Sequence, residues 1–187
     1  MAIKSVGDLV NLNTDLKCDT PNHELIVYPK FLIFYSENGY KKPCYVKFFI
    51  ENRDKFPVIF AIKARQKIFR LGSDSHGILK AGEKHTFKLY LLPCDDWPLG
   101  INDYAGKQLK IAIENLRIPT CIQPDNRVDI VAVSKWIWKK SMTEWPLERL
   151  YTKMSVILEK CQTNDSSVLT LPISASPSLI SEESVKT

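Results

Sequence analysis

Three histidines and five cysteines carry most of the nucleophilic and metal-binding potential of this 187-residue sequence, and their spacing suits neither task. Cys18, Cys44, Cys94, Cys121 and Cys161 form no Cys-x-x-Cys pair, so neither a zinc ribbon nor a thioredoxin-type site can be written. His76 and Cys94 lie in or next to loops, and only the fold could bring them together as a nucleophile and its base. Asp95-Asp96 lacks the further ligands of a metal site and reads as a solvated acid pair. Neither a phosphate-cradling glycine loop nor a Gly-x-Ser-x-Gly elbow is present. The expectation is a chain that is not an enzyme, with no catalytic residues, no metal site and no cofactor. That leaves surfaces.

Surface chemistry begins with charge. Lys and Arg total 26 against 21 Asp and Glu, giving a net charge of +5 and a pI near 8.9. The excess sits on residues 22–127, whereas 161–187 is faintly acidic. A nucleic-acid binder concentrates Lys and Arg on one element with aromatic or glycine partners. The nearest run here is Lys63, Arg65, Lys67 and Arg70, and its period of two is what the solvated face of a strand needs anyway. No nucleic-acid partner is expected on this ground.

The elements that must position such residues are short strands. Leu25 and Val27 alternate with polar neighbours, and Phe31–Tyr35 is a second apolar stretch beyond Pro29. Pro29 cannot donate to a ladder and fits an edge or a strand switch. Tyr45–Ile50, Val58–Lys63, Thr86–Leu92 and Leu109–Ile113 also read as strands. Ser36-Glu37-Asn38-Gly39 and Lys80-Ala81-Gly82-Glu83 read as turns. This spacing predicts an all-β fold, an antiparallel sandwich of immunoglobulin-like type.

The flanks are less regular. Residues 1–21 are polar and read as a loosely attached N-terminal arm, although Leu9, Val10 and Leu12 could dock. Trp136, Trp138 and Trp145 point to packing against the sandwich. Leu147, Leu150, Tyr151, Met154, Ile157 and Leu158 match helical spacing, while Met154–Leu158 alternates equally well as a strand. Residues 161–187 are Ser/Thr-rich with few apolar anchors, and disorder is expected there. The start lacks a secretory pattern and no apolar run approaches the ~20 residues of a membrane span. With its unpaired thiols, the chain is expected to be soluble and cytoplasmic.

Residue order adds a resemblance. Pro29 with its apolar strand, Phe48-Phe49-Ile50-Glu51-Asn52, and Val58-Ile59-Phe60-Ala61-Ile62-Lys63 follow the pattern of the major sperm protein (MSP) domain family. Gly77-Ile78-Leu79-Lys80-Ala81-Gly82-Glu83 resembles that family's Gly-Ile-Leu-x-Pro-Gly-Glu turn, with alanine for proline. Leu91-Leu92-Pro93 is similar to its Leu-x-Pro strand end, and Pro146–Glu159 to the closing segment of the VAMP-associated members. The resemblance spans residues 22–160, implies a seven-stranded sandwich, and makes Met154–Glu159 a strand.

It also implies two uses. Nematode sperm proteins of the family self-associate into motile filaments, which makes a cytoskeletal or accessory interaction protein the first expectation. VAMP-associated members bind acidic peptides carrying aromatics (FFAT motifs) on a basic strip and have a membrane helix absent from this sequence. Their Lys-Thr-Thr falls on Lys63-Ala64-Arg65 and their Lys-Phe-Met-Val on Gln108-Leu109-Lys110-Ile111. The candidate peptide-binding residues are therefore Lys63, Arg65 and Lys110, with both threonines and one lysine replaced. Expected partners are proteins, further copies of the chain, or acidic peptides.

Overall fold

Period-two alternation does most of the building. In the strand Cys44–Glu51, Phe48 and Ile50 are buried while Tyr45 and Lys47 are exposed, so one face makes core and the other meets water. The computed structural model describes residues 2–11, 18–143 and 149–160, and nine strands and two α-helices are found among them. The strands are β1 (Ile26–Tyr28), β2 (Phe31–Phe34), β3 (Cys44–Glu51), β4 (Val58–Ala64), β5 (Phe69–Leu71), β6 (His76–Leu79), β7 (Lys84–Leu91), β8 (Gln108–Arg117) and β9 (Leu150–Leu158). The helices are α1 (Val6–Asn11) and α2 (Arg127–Thr143).

Two sheets face each other, one of four strands in the order β1-β3-β7-β5 and one of five in the order β2-β9-β8-β4-β6. Their inward residues, among them Phe34, Phe48, Ile50, Phe60, Phe87, Ile111, Met154 and Val156, form one continuous core. The chain is an immunoglobulin-like β-sandwich.

The strand count is nine rather than seven. After a cis Tyr28–Pro29 bond the chain leaves the four-stranded sheet and enters the five-stranded one, so a single edge strand becomes β1 and β2. Strands β5 and β6 are only three and four residues long, too short to leave an alternating signature in the sequence. The sandwich is also not wholly antiparallel: β2 runs parallel to β9, pairing Phe31 with Ser155 and Phe34 with Leu158. Residues 150–158 form a strand, and their helical spacing is coincidental.

Asn52 ties the turn after β3 to the Lys80–Glu83 turn. Its Nδ2 donates to Phe56 O (2.9 Å) and lies 3.0 and 3.2 Å from Lys80 O and Leu79 O, while its Oδ1 accepts from Asp54 N. Its own backbone bonds Glu83 O and Gly82 N, with Gly82 in the left-handed region at φ 72°. The β3–β4 and β6–β7 turns are thus one hydrogen-bonded unit. Asp54, almost fully buried, extends it by accepting from the N–H groups of Asn22 and His23.

The arm is docked rather than loose. Ile3 and Leu9 are buried, Ile3 N–H donates to Cys121 O, and Asp19 exchanges both backbone hydrogen bonds with Arg117. Leu12, Trp145, the closing Pro146-Leu147-Glu148 turn and the tail expected to be disordered lie outside the described residues.

Helix α2 was not legible as a helix. It starts at an Asn126 cap, whose Oδ1 accepts from Asp129 N at 2.9 Å. It buries Val133, Ile137 and Trp138 on the outer side of the five-stranded sheet, against Ile59, Ala61, Leu116 and Ile118. Ser134 and Ser141 are buried there too, each donating its hydroxyl to a carbonyl of its own helix. This second cluster lies back to back with the sandwich core, which explains why β4 is buried on both faces from Val58 to Ile62.

Candidate functional site

On the five-stranded sheet the outward residues are Lys63 and Ala61 on β4, every even-numbered residue of β8, and Lys153 and Ser155 on β9. Helix α2 covers one end of this face. The other end is open and forms a cleft of about 430 Å³ lined by Lys63, Arg65, Gln108, Lys110, Ala112 and Lys153. Register explains the convergence: Lys63 pairs with Ala112, Ala112 with Lys153, and Lys110 with Ser155. The three residues singled out by sequence therefore share one cleft, although they come from two strands and the segment after one of them.

Each cation is held differently. Lys63 Nζ lies 2.8 Å from Glu114 Oε1 and 5.5 Å from the Trp138 ring centroid, at the border with α2. Lys110 Nζ donates to Ser155 Oγ at 2.7 Å, and Gln108 Nε2 approaches the same oxygen at 2.9 Å. Lys153 Nζ stands 5.2 Å from the Tyr151 ring centroid. Arg65 is exposed. Glu114 is also approached by Arg149, whose Nη2 donates to Ser141 O near the end of α2. Glu114 is thus engaged by Lys63 and Arg149 at the α2 border and is not among the residues that line the cleft.

The cleft also has an open backbone edge. Strand β6 pairs β4 only from Val58 to Ala61, with one further bond from Ile62 N–H to Ser75 O. Beyond that, the β6-facing edge of β4 has no strand partner among the described residues as it runs toward Gln66. Exposed Phe31, 59 % accessible, stands two strands away in the same row as Ser155 and Lys110. Cations, a strand edge and an exposed ring are the groups that receive an anionic, partly aromatic chain.

Sequence reasoning missed Lys153, Ser155 and Glu114. The strand at 154–159 was legible, but its antiparallel pairing with β8 was not, and only that pairing sets Lys153 beside Ala112. His76, at the α2 end of the same sheet, lies 3.0 Å from Ser75 Oγ and edge-on to Trp138. Burial, with Lys135 and Lys63 nearby, lowers its pKa below the usual imidazole value. Among the described residues no hydrogen bond joins it to a cysteine, and no cluster of three metal-ligating side chains occurs.

No family model matches the sequence, and no curated protein matches it. Solved structures do match. The chain is similar to WR4, a C. elegans MSP family member, at 14 % identity over 74 % of this chain and 100 % of that one, with a TM-score of 0.46. It is also similar to the PapD-like domain 7 of human CEP192, at 9 % identity over 73 % and 84 % of the two chains, with a TM-score of 0.42. The YadV chaperone is 11 % identical over 73 % of this chain and 52 % of that chain, with a TM-score of 0.42. The chain resembles MSP and PapD-like sandwiches. No helix among the described residues is long and apolar enough to cross a membrane.

Proposed function

We propose that this chain is a non-catalytic protein-interaction module that binds acidic, aromatic-bearing peptides of FFAT type on the open end of its five-stranded sheet. The observation that carries the proposal is the convergence of Lys63, Arg65, Lys110 and Lys153 on one cleft that no carboxylate lines among the described residues. An acidic tract is drawn there by charge and aligned by the free edge of β4. Gln108 lines the cleft with an amide, at a position other than those of the family's threonines, and Ser155 beneath it accepts from Lys110 and Gln108. The test is fluorescence anisotropy with a labelled peptide carrying two aromatics in an acidic tract. Binding at low ionic strength that weakens with salt and with Lys63→Glu supports the proposal; no binding at low salt defeats it.

A second reading, assembly with further copies or with a cytoskeletal partner, rests on the other edge of the same sheet. Strand β2 pairs with β9 alone, and Phe31, Ile33 and Tyr35 are exposed along it. An unpaired edge with apolar side chains recruits another strand. Sedimentation across a concentration series tests this: a monomer at every concentration removes self-assembly.

A further inference from the structure

The opposite face of the molecule is built differently. The outward residues of the four-stranded sheet come in cross-strand rows set by register. Tyr45 pairs with Tyr90, and Tyr90 with Arg70; Lys47 pairs with Lys88; Tyr28 pairs with Phe49, and Phe49 with Thr86; Glu51 pairs with Lys84. Aromatic rows therefore alternate with a cationic row, two residues apart along each strand. The rings meet across strands, Tyr45–Tyr90 with centroids 5.4 Å apart and Tyr28–Phe49 at 5.5 Å. Lys84 Nζ sits 3.2 Å from the Phe49 centroid and Lys88 Nζ 4.9 Å from that of Tyr45.

Nothing covers this face among the described residues in the way α2 covers the other, since α2 lies against β6 and β4. Tyr28 is 62 % and Tyr45 49 % accessible, and Lys47, Arg70, Lys84 and Lys88 are exposed. Glu51 is the one carboxylate in the rows, and it forms no ion pair among the described residues. Exposed rings with interleaved cations that have no carboxylate partner among the described residues match a polyanion that itself carries flat rings.

We propose that the outer face of β1-β3-β7-β5 is a platform for single-stranded nucleic acid. Bases stack on the exposed rings of Tyr28 and Tyr45, which Phe49 and Tyr90 back from the neighbouring strands, and Lys47, Arg70, Lys84 and Lys88 neutralise phosphates. A second copy of this face is a poor occupant, because two-fold packing would set one predominantly cationic patch against another. A duplex is a poor occupant too, since its bases are already stacked. The expectation against nucleic acid drawn from sequence looked for one element holding both residue types, whereas here four strands share them.

The test is anisotropy with fluorescein-labelled oligouridylate and oligothymidylate, against a duplex of equal length, an acidic aromatic peptide and anionic lipid vesicles, all on the full chain. Single strands should bind with log K falling against log salt at a slope of roughly −3, from four cations at about −0.7 each. The duplex should bind on the order of tenfold more weakly. Tyr45→Ala should weaken single-strand binding roughly fivefold or more, with Tyr28→Ala on the edge strand as the second variant should the first disturb folding. Lys63→Glu, on the other face, should leave it within about twofold, which separates this site from the peptide cleft. The proposal is overturned if no single strand binds at low salt, or if single strand and duplex bind alike with both tyrosine variants silent. It is equally overturned if vesicles or the acidic peptide occupy this face in preference to the oligonucleotide.

Discussion

The two sheets of this sandwich share one core but present opposite outer faces. The five-stranded sheet is half roofed by α2, and its open half gathers Lys63, Arg65, Lys110 and Lys153 around a cleft. The four-stranded sheet has no such roof among the described residues, and Tyr28, Tyr45 and the lysines of its rows stand in solvent. Where apolar residues point outward on β4 and β8, as Ile59, Ala61 and Leu116 do, a helix must cover them. Where the outward residues are amphipathic, with polar tips on large rings, the face stays bare. The lesson is that outward side-chain chemistry decides which face is architecture and which is available for contact.

The largest expected effect breaks or confirms that contrast directly. Ile137, fully buried on the sheet-facing side of α2, should cost about 2–5 kcal/mol of stability as Ile137→Ala, whereas Tyr45→Ala on the bare face should cost about 1 kcal/mol or less. Urea unfolding of both variants measures the difference, and equal losses would mean that the two faces are not distinct in kind. Next comes Asn52→Ala, which strands carbonyls of Phe56, Leu79 and Lys80 and should cost about 1–3 kcal/mol. That loss should appear whichever face is probed, because the Asn52 turn unit serves both sheets.

Much of the sandwich was legible before the structure, for a physical reason. A strand with one wet face writes its burial into the sequence as alternation, as in Phe48, Ile50 and in Phe87, Leu89, Leu91. Helix α2 wrote no such stripe. Val128 is exposed, Trp136 only partly buried, and two of its buried positions are serines, so its apolar residues do not mark one side. Its cap, Asn126 with Asp129 three residues on, was the available signal. The cleft was half legible: a resemblance supplied Lys63, Arg65 and Lys110, but Lys153 depends on a pairing between strands some 40 residues apart. The aromatic platform was invisible because its rows exist only across strands.

Smaller effects sharpen the contrast. Reversing Lys110 or Lys153 should weaken acidic-peptide binding roughly fivefold each at low salt, as read by anisotropy, while reversing Lys47 or Lys88 on the bare face should not. The gentlest probe is Cys18, buried in the cluster under α2, where desolvation pushes its thiol pKa from 9.0 up to about 12. The folded chain then holds a proton that the unfolded chain loses, so its contribution to stability is full below about pH 9 and declines as pH rises from 9 toward 12. Urea unfolding at pH 7 and pH 10.5 should show that decline, reduced in Cys18→Ala. Alkylation of Cys18 at pH 8 should require unfolding of the α2 cover.

The central claim is that the open half of the five-stranded sheet receives an acidic peptide. Backbone amide chemical-shift mapping during titration with the acidic aromatic peptide tests it most directly. Shifts confined to Lys63–Gln66, Gln108–Ala112 and Lys153–Ser155, and suppressed by added salt, are the predicted result. Shifts centred on Tyr45, Lys47, Lys88 and Tyr90, or no shifts at low salt, would contradict it.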